Sequence, residues 1–172
     1  MPRKCFFSSL FIVLFVNYLK LFVDFDNIYL LKEDFQTMTL NLASLLPQDN
    51  AYTFEFSIGN QAGQDIAEVD IEYELTLRTT TNLPLTYELY MNESYEAQGA
   101  TSIIKENTVS ADEDGTYFRT MTTDKITLPY TTGKTNLYQL VVYFPGNYDQ
   151  EIYQDTIELL EINVNGVQVT DE

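Results

Sequence analysis

Residues 67–78 alternate without a slip. Ala67, Val69, Ile71, Tyr73, Leu75 and Leu77 are apolar, and Glu68, Asp70, Glu72, Glu74, Thr76 and Arg78 stand between them. A period of two puts one set on each face of an extended chain, so the stretch is a strand with one buried and one wet face. At helical spacing the same apolar residues would scatter around the axis. Such a strand cannot bury its apolar face alone; it needs a sheet and a second layer packed on that sheet.

The pattern recurs along the chain. Met38, Leu40 and Leu42 alternate with Thr39 and Asn41, and Tyr52, Phe54, Phe56 and Ile58 alternate with Thr53, Glu55 and Ser57 before Gly59 and Asn60. Leu85, Tyr87, Leu89 and Met91 follow the turn-forming run Thr81, Asn82, Leu83, Pro84. Residues 116–121 form a short strand after the turn signal Asp114, Gly115. Residues 137–144 are apolar on both faces apart from Gln139, which suits a central strand, and Pro145, Gly146 and Asn147 end it. In residues 152–169 the alternation breaks at Leu159 and Leu160, where either a β-bulge or a preceding helical turn is expected. Asn165 and Gly166 signal a two-residue hairpin, with Val167 and Val169 returning. Eight or nine short strands with turn signals between them predict an all-β fold, an antiparallel β-sandwich of jelly-roll or immunoglobulin-like type.

One hydrophobic helix is expected before that sandwich. Arg3 and Lys4 precede residues 5–23, in which only Asn17 and Lys20 are strongly polar. Nineteen residues of helix span about 28 Å at ~1.5 Å each, close to a hydrocarbon core of ~30 Å. The basic residues stay in the cytoplasm by the positive-inside rule, so the chain beyond them is extracellular. Residues 1–23 therefore read as an uncleaved signal-anchor or a cleaved signal peptide; a small-residue cleavage site is missing, since the first Ala is Ala43 and the first Gly is Gly59. Residues 24–35 read as a stalk or short helix, and residues 36–172 as the sandwich domain. All 26 acidic residues follow the leader, against six basic ones, a net of −20 for that part of the chain.

The run Glu68, Val69, Asp70, Ile71, Glu72, Tyr73, Glu74, the Thr-rich Thr79, Thr80, Thr81, and the turn Asn82, Leu83, Pro84 leading into Leu85, Thr86, Tyr87, Glu88, Leu89, Tyr90 resemble stretches of uncharacterised clostridial surface proteins. The overall layout over residues 36–165 resembles the camelysin/TasA-like group of Gram-positive exported proteins, which join a signal segment to a cysteine-free β-sandwich. That resemblance implies a cell-surface or biofilm-matrix protein, with polymerisation into fibres by strand addition as the further expectation. The leader departs from the group's pattern: it lacks the small-residue cleavage site and the aromatic-Ser-Asp start of a mature chain.

Chemistry is limited by what the composition omits. There is no His, and the one Cys, Cys5, lies in the leader. Zinc triads of the usual kind and Ser-His-Asp or Cys-His nucleophile systems therefore cannot be built, and the metallopeptidase activity that the camelysin name implies has no ligands here. No glycine-rich phosphate loop occurs. A net charge near −20 disfavours nucleic acid. The expectation is a protein without enzymatic activity or obligatory cofactor. Its partners would be itself or another surface protein, and the membrane through residues 5–23.

Three features remain as possible sites. The ladder Glu68, Asp70, Glu72, Glu74 sets carboxylates about 7 Å apart on one strand face, as a solvated outer surface or a cation-binding one. Asp112 and Asp114, with Glu113 and Gly115, form the calcium candidate, because hard oxygen ligands and a turn glycine are what calcium loops use. The spacing is not that of an EF-hand, and a loop with incidental charge is the competing reading. Thirteen tyrosines serve either strand packing or a sugar-binding platform, so a wall-polysaccharide or calcium-binding module is the alternative function. Asn92, Glu93, Ser94 is a formal glycosylation sequon without meaning in a bacterium lacking that machinery.

Overall fold

The computed structural model describes residues 28–30, 34–42, 45–148, 151–153 and 156–169. The leader, residues 1–23, and its hydrophobic helix lie outside the described residues. The strands are β1 (Ile28–Tyr29), β2 (Asp34–Asn41), β3 (Tyr52–Gly59), β4 (Gln61–Ala62), β5 (Asp65–Ile66), β6 (Asp70–Thr80), β7 (Thr86–Met91), β8 (Ile104–Ala111), β9 (Tyr117–Thr123), β10 (Ile126–Leu128), β11 (Thr135–Tyr143) and β12 (Leu159–Val169). A 3-10 turn, Glu151–Tyr153, precedes the last strand.

Two sheets face each other. One has the order β1-β3-β11-β7; the other has the order β2-β12-β6-β9-β8, with β10 also beside β6. All described pairings are antiparallel except β1 with β3. The alternation read from the sequence selects the inner faces. Ile71, Tyr73, Leu75 and Leu77 of β6 and Leu160, Ile162 and Val164 of β12 are buried from one sheet. Phe54, Phe56 and Ile58 of β3, Leu89 of β7, and Tyr138, Leu140 and Val142 of β11 are buried from the other. Each such fully buried aliphatic side chain contributes about 1.5–3 kcal/mol of transfer free energy, and together they form one core.

The central-strand expectation for residues 137–144 holds: β11 lies between β3 and β7. Other expectations need correction. The strand expected at 67–78 runs instead from Asp70 to Thr80. The domain begins before residue 36, because Ile28 and Leu30 are buried in the core and β2 starts at Asp34. Residues 28–30 are thus part of the sandwich rather than a stalk. The hairpin expected at Asn165 and Gly166 does not form. β12 passes straight through it, and pairing with β6 continues from Leu160 opposite Thr79 to Val169 opposite Asp70. A two-residue turn there would forfeit the final pairs of that ladder, Gly166–Tyr73 through Val169–Asp70, which outweigh the local turn preference. Leu159 and Leu160 carry no bulge: Leu159 is the exposed first residue of the strand, and the helical turn comes before it.

A bulge occurs elsewhere. Thr122 stands opposite Thr76 and Ile126 opposite Tyr73, so the β9–β10 side holds one residue more than β6. Thr123 fills the gap in the ladder. Its Oγ1 accepts the Leu75 N–H at 3.1 Å and donates to the Asp124 carbonyl at 2.9 Å.

Candidate functional site

A cleft of about 440 Å³ lies on the outer face of the four-stranded sheet. Its floor is two cross-strand pairs of β3 and β11, Ser57 opposite Leu137 and Glu55 opposite Gln139. Its wall is the segment leaving β7, Asn92, Glu93 and Ser94. Leu137, 63 % exposed, is the apolar part of the floor.

Asn92 builds the wall. It is the one described non-glycine residue with positive φ, 59°, a conformation that Asn tolerates and that stops the strand. Its N–H donates to the Leu137 carbonyl at 2.8 Å. Its side-chain Oδ1 accepts the Leu137 N–H at 2.9 Å, and its Nδ2 donates to Asn136 Oδ1 at 3.0 Å. Asn136 is fully buried and donates to the Tyr73 hydroxyl at 2.7 Å. The Tyr73 hydroxyl meets that of Tyr138, which donates to Met91 Sδ at 3.4 Å. The cleft wall is thereby tied through Asn136 to a polar pair in the core. Burial pushes the phenol pKa of both tyrosines up.

Gln139 orders the floor. Its Nε2 donates to Glu55 Oε1 at 3.2 Å, and its Oε1 accepts the Tyr95 N–H at 2.9 Å. Glu93 Oε1 accepts the Thr101 N–H at 3.4 Å. Two carboxylates thus border the cleft, and among the described residues no Lys or Arg lines it. Beside it on the same face, Glu88 Oε2 accepts the hydroxyls of Tyr90 at 2.9 Å and Tyr143 at 3.0 Å. Burial first, and then the Glu88 carboxylate, push both phenols up to about 12.

Of the features singled out in the sequence, the run Asn92, Glu93, Ser94 forms the cleft wall, while the calcium candidate and the acidic ladder lie away from it. Asp112 and Asp114 sit in the β8–β9 loop. Asp112 Oδ1 accepts the N–H groups of Asp114 at 3.0 Å and Thr116 at 2.8 Å, and Gly115 takes φ 82°. The Asp112 carboxylate closes the hairpin. Among the described residues no three His, Cys, Asp or Glu gather as metal ligands. In the acidic ladder Glu68 is exposed and Asp70, Glu72 and Glu74 are half-buried; Glu72 pairs with Lys125 at 2.8 Å, and Asp70 Oδ1 accepts the Tyr130 N–H at 2.8 Å. The Glu72 hydrogen bond raises the Lys125 pKa. Of the tyrosines, Tyr73, Tyr87 and Tyr138 are core residues, while Tyr90, Tyr95 and Tyr143 stand together beside the cleft, with the Tyr90 and Tyr95 rings 6.4 Å apart.

Sequence reasoning missed the cleft because its parts come from three distant segments. It also missed Glu158, a fully buried carboxylate that accepts the Thr79 hydroxyl and the N–H groups of Asn82 at 3.0 Å and Leu83 at 3.1 Å. It holds the Thr-rich turn against the start of β12. The one signal for either was a polar residue at a strand end, Asn92 just after β7 and Glu158 just before β12.

The architecture defines a protein of the two-sheet, antiparallel all-β class. No protein-family model matches the chain, and no curated protein matches it. Among solved structures, one similar chain is CorA, a surface-associated copper-binding protein important in copper acquisition by Methylomicrobium album BG8. It is 13% identical with a TM-score of 0.28, over 81% of this chain and 97% of that one. At that score the likeness carries no argument about ligand or location.

Proposed function

We propose that the chain is an exported or cell-surface structural and interaction protein that assembles by strand addition at β8. One observation carries this reading. β8 is an edge of the six-stranded sheet, and its residues from Lys105 to Ala111 are all exposed. Val109 pairs with Arg119 and Ala111 with Tyr117, on the face that β6 and Met121 turn toward the core. Among the described residues no opposing strand covers that face, and Val109 is 52 % and Tyr117 59 % exposed. Among the described residues only β9 pairs with β8.

An edge of this length offers unpaired backbone groups to another strand, and the uncovered inner face supplies apolar contact for it. The bulge between Ile104 and Glu106 blunts only the start of the strand. From Asn107 to Ala111 the edge is uncharged. The acidic, cysteine-free composition beyond an apolar leader and the TasA-like layout agree with a surface location, with the partner a second copy or another surface protein.

The donated strand is not one of the chain's own described terminal strands. β1 and β2 are built into the sandwich, and residues 167–169 lie inside the β12–β6 ladder. The test is sedimentation of the full chain in a non-ionic detergent, with electron microscopy of the pellet, beside Val109→Lys. Regular fibres that Val109→Lys abolishes at unchanged melting temperature support the reading. A monomer at high concentration, or fibres indifferent to Val109→Lys, rejects assembly at β8.

A further inference from the structure

We infer that the cleft between Glu55, Leu137 and Glu93 receives the lysine or arginine side chain of an extended partner peptide. This does not depend on assembly at β8, which lies in the other sheet. The cleft volume, about 440 Å³, is within the usual range of ligand sites. Its shape is set before any ligand arrives, because Asn92 grips both main-chain groups of Leu137.

The lining selects the occupant. Glu55 and Glu93 each use only Oε1 among the described residues, toward Gln139 and the Thr101 N–H, leaving Oε2 for a donor from outside. An anionic group would meet two carboxylates and, among the described residues, no compensating cation. A bare metal ion would want more hard ligands than this, and no triad of them gathers. A sugar would want an exposed ring to stack on. The two aromatic residues that line the cleft, Phe56 and Tyr138, instead stack on each other in the core, with ring centroids 4.9 Å apart, and Tyr90 beside it is buried. What remains exposed is Leu137 flanked by carboxylates, an apolar strip for an alkyl stem and acceptors for the cation at its end.

The cleft is open above Leu137, so a small free amine would keep much of its stem in water. A side chain delivered from a peptide laid across the outer face has its stem covered on both sides. The occupant is therefore a basic residue held in a chain, not a free amine.

The test titrates the full chain, in non-ionic detergent at low salt, with a capped peptide carrying two lysines. The same peptide with acetylated lysines, and butane-1,4-diamine, serve as comparison ligands. Calorimetry reads affinity, and the Leu137 methyl resonances report the place. The expectation is saturable binding with Leu137 methyl shifts, at least about tenfold tighter than either comparison ligand, and weakened about tenfold by Glu55→Gln with Glu93→Gln. Glu113→Gln, an exposed charge in the β8–β9 loop, should leave it unchanged. The inference is overturned if the acetylated peptide binds equally, if the diamine binds as tightly, or if Leu137 does not shift. Equal weakening by Glu113→Gln would also overturn it, by reducing the binding to diffuse attraction to an acidic surface. Circular dichroism of the Gln variants establishes that any loss is not unfolding.

Discussion

The hydroxyls of Tyr73 and Tyr138, one from each sheet, meet in the middle of the core. Either hydroxyl can donate to the other; the Tyr73 oxygen also accepts from the Asn136 amide, and the Tyr138 hydroxyl faces Met91 Sδ, a weak acceptor. Removing the Tyr73 oxygen, which strips the buried amide of its acceptor, should therefore cost more than removing that of Tyr138.

Tyr73→Phe should destabilise by about 1–3 kcal/mol, because it orphans the buried Asn136 amide. Tyr138→Phe should cost less, and the double variant less than the sum of the two. Urea unfolding of the four proteins measures this. Equal and additive effects would mean the two hydroxyls do not act as one unit.

Alkaline pH should unfold the protein. Burial raises the phenol pKa of Tyr73, Tyr87 and Tyr138 above the ordinary 10.0. The corresponding stability is fully present below pH 10, the unfolded value, and is lost as pH rises through it toward the folded values. There the unfolded chain releases protons that the folded chain keeps, at roughly 1.4 kcal/mol per pH unit for each group. Melting temperatures across this range should fall steeply from about pH 10. Tyrosinate absorbance should show a late fraction that appears only with unfolding. A flat stability curve with all tyrosines titrating together would reject the buried network.

Glu158→Ala should be among the most damaging single changes. It strips an acceptor from the Asn82 and Leu83 N–H groups and from the Thr79 hydroxyl. Each buried group left unpaired costs about 1–3 kcal/mol, so a loss of more than about 3 kcal/mol is expected. Glu158→Gln should be milder, since its carbonyl can still accept the two N–H groups while its amide donates to Thr79. Similar losses in both variants would show that the charge, and not the acceptor geometry, matters.

At the β8–β9 loop, Asp112→Ala should cost about 1 kcal/mol by losing the oxygen that accepts Asp114 and Thr116. Asp112→Asn keeps that oxygen and should be near neutral. Adding calcium or a chelator should not change this order. A rise in melting temperature with calcium, abolished by Asp112→Asn, would instead mark the loop as a cation site.

Strand existence was legible wherever one face is buried. Residues 52–58, 67–78 and 85–91 alternate, and β3, β6 and β7 follow them closely. β8 was not legible, because an edge strand exposed on both faces has no reason to alternate. Ile28 and Leu30 were not legible as core either: two apolar residues carry no period, and their place depends on β3 running alongside.

The sequence alone determined the period of two, and with it the class of fold and the inward-facing residues of the main strands. Those are local properties of an extended chain in water. Pairing is not local. Gly166 is held straight by Asp34 on one side and Tyr73 on the other, against its own turn preference. The cleft joins Glu55, Asn92 and Leu137 only because β11 lies between β3 and β7. Tertiary structure decided these because ladder hydrogen bonds and core burial summed over many residues outweigh the preference of any two.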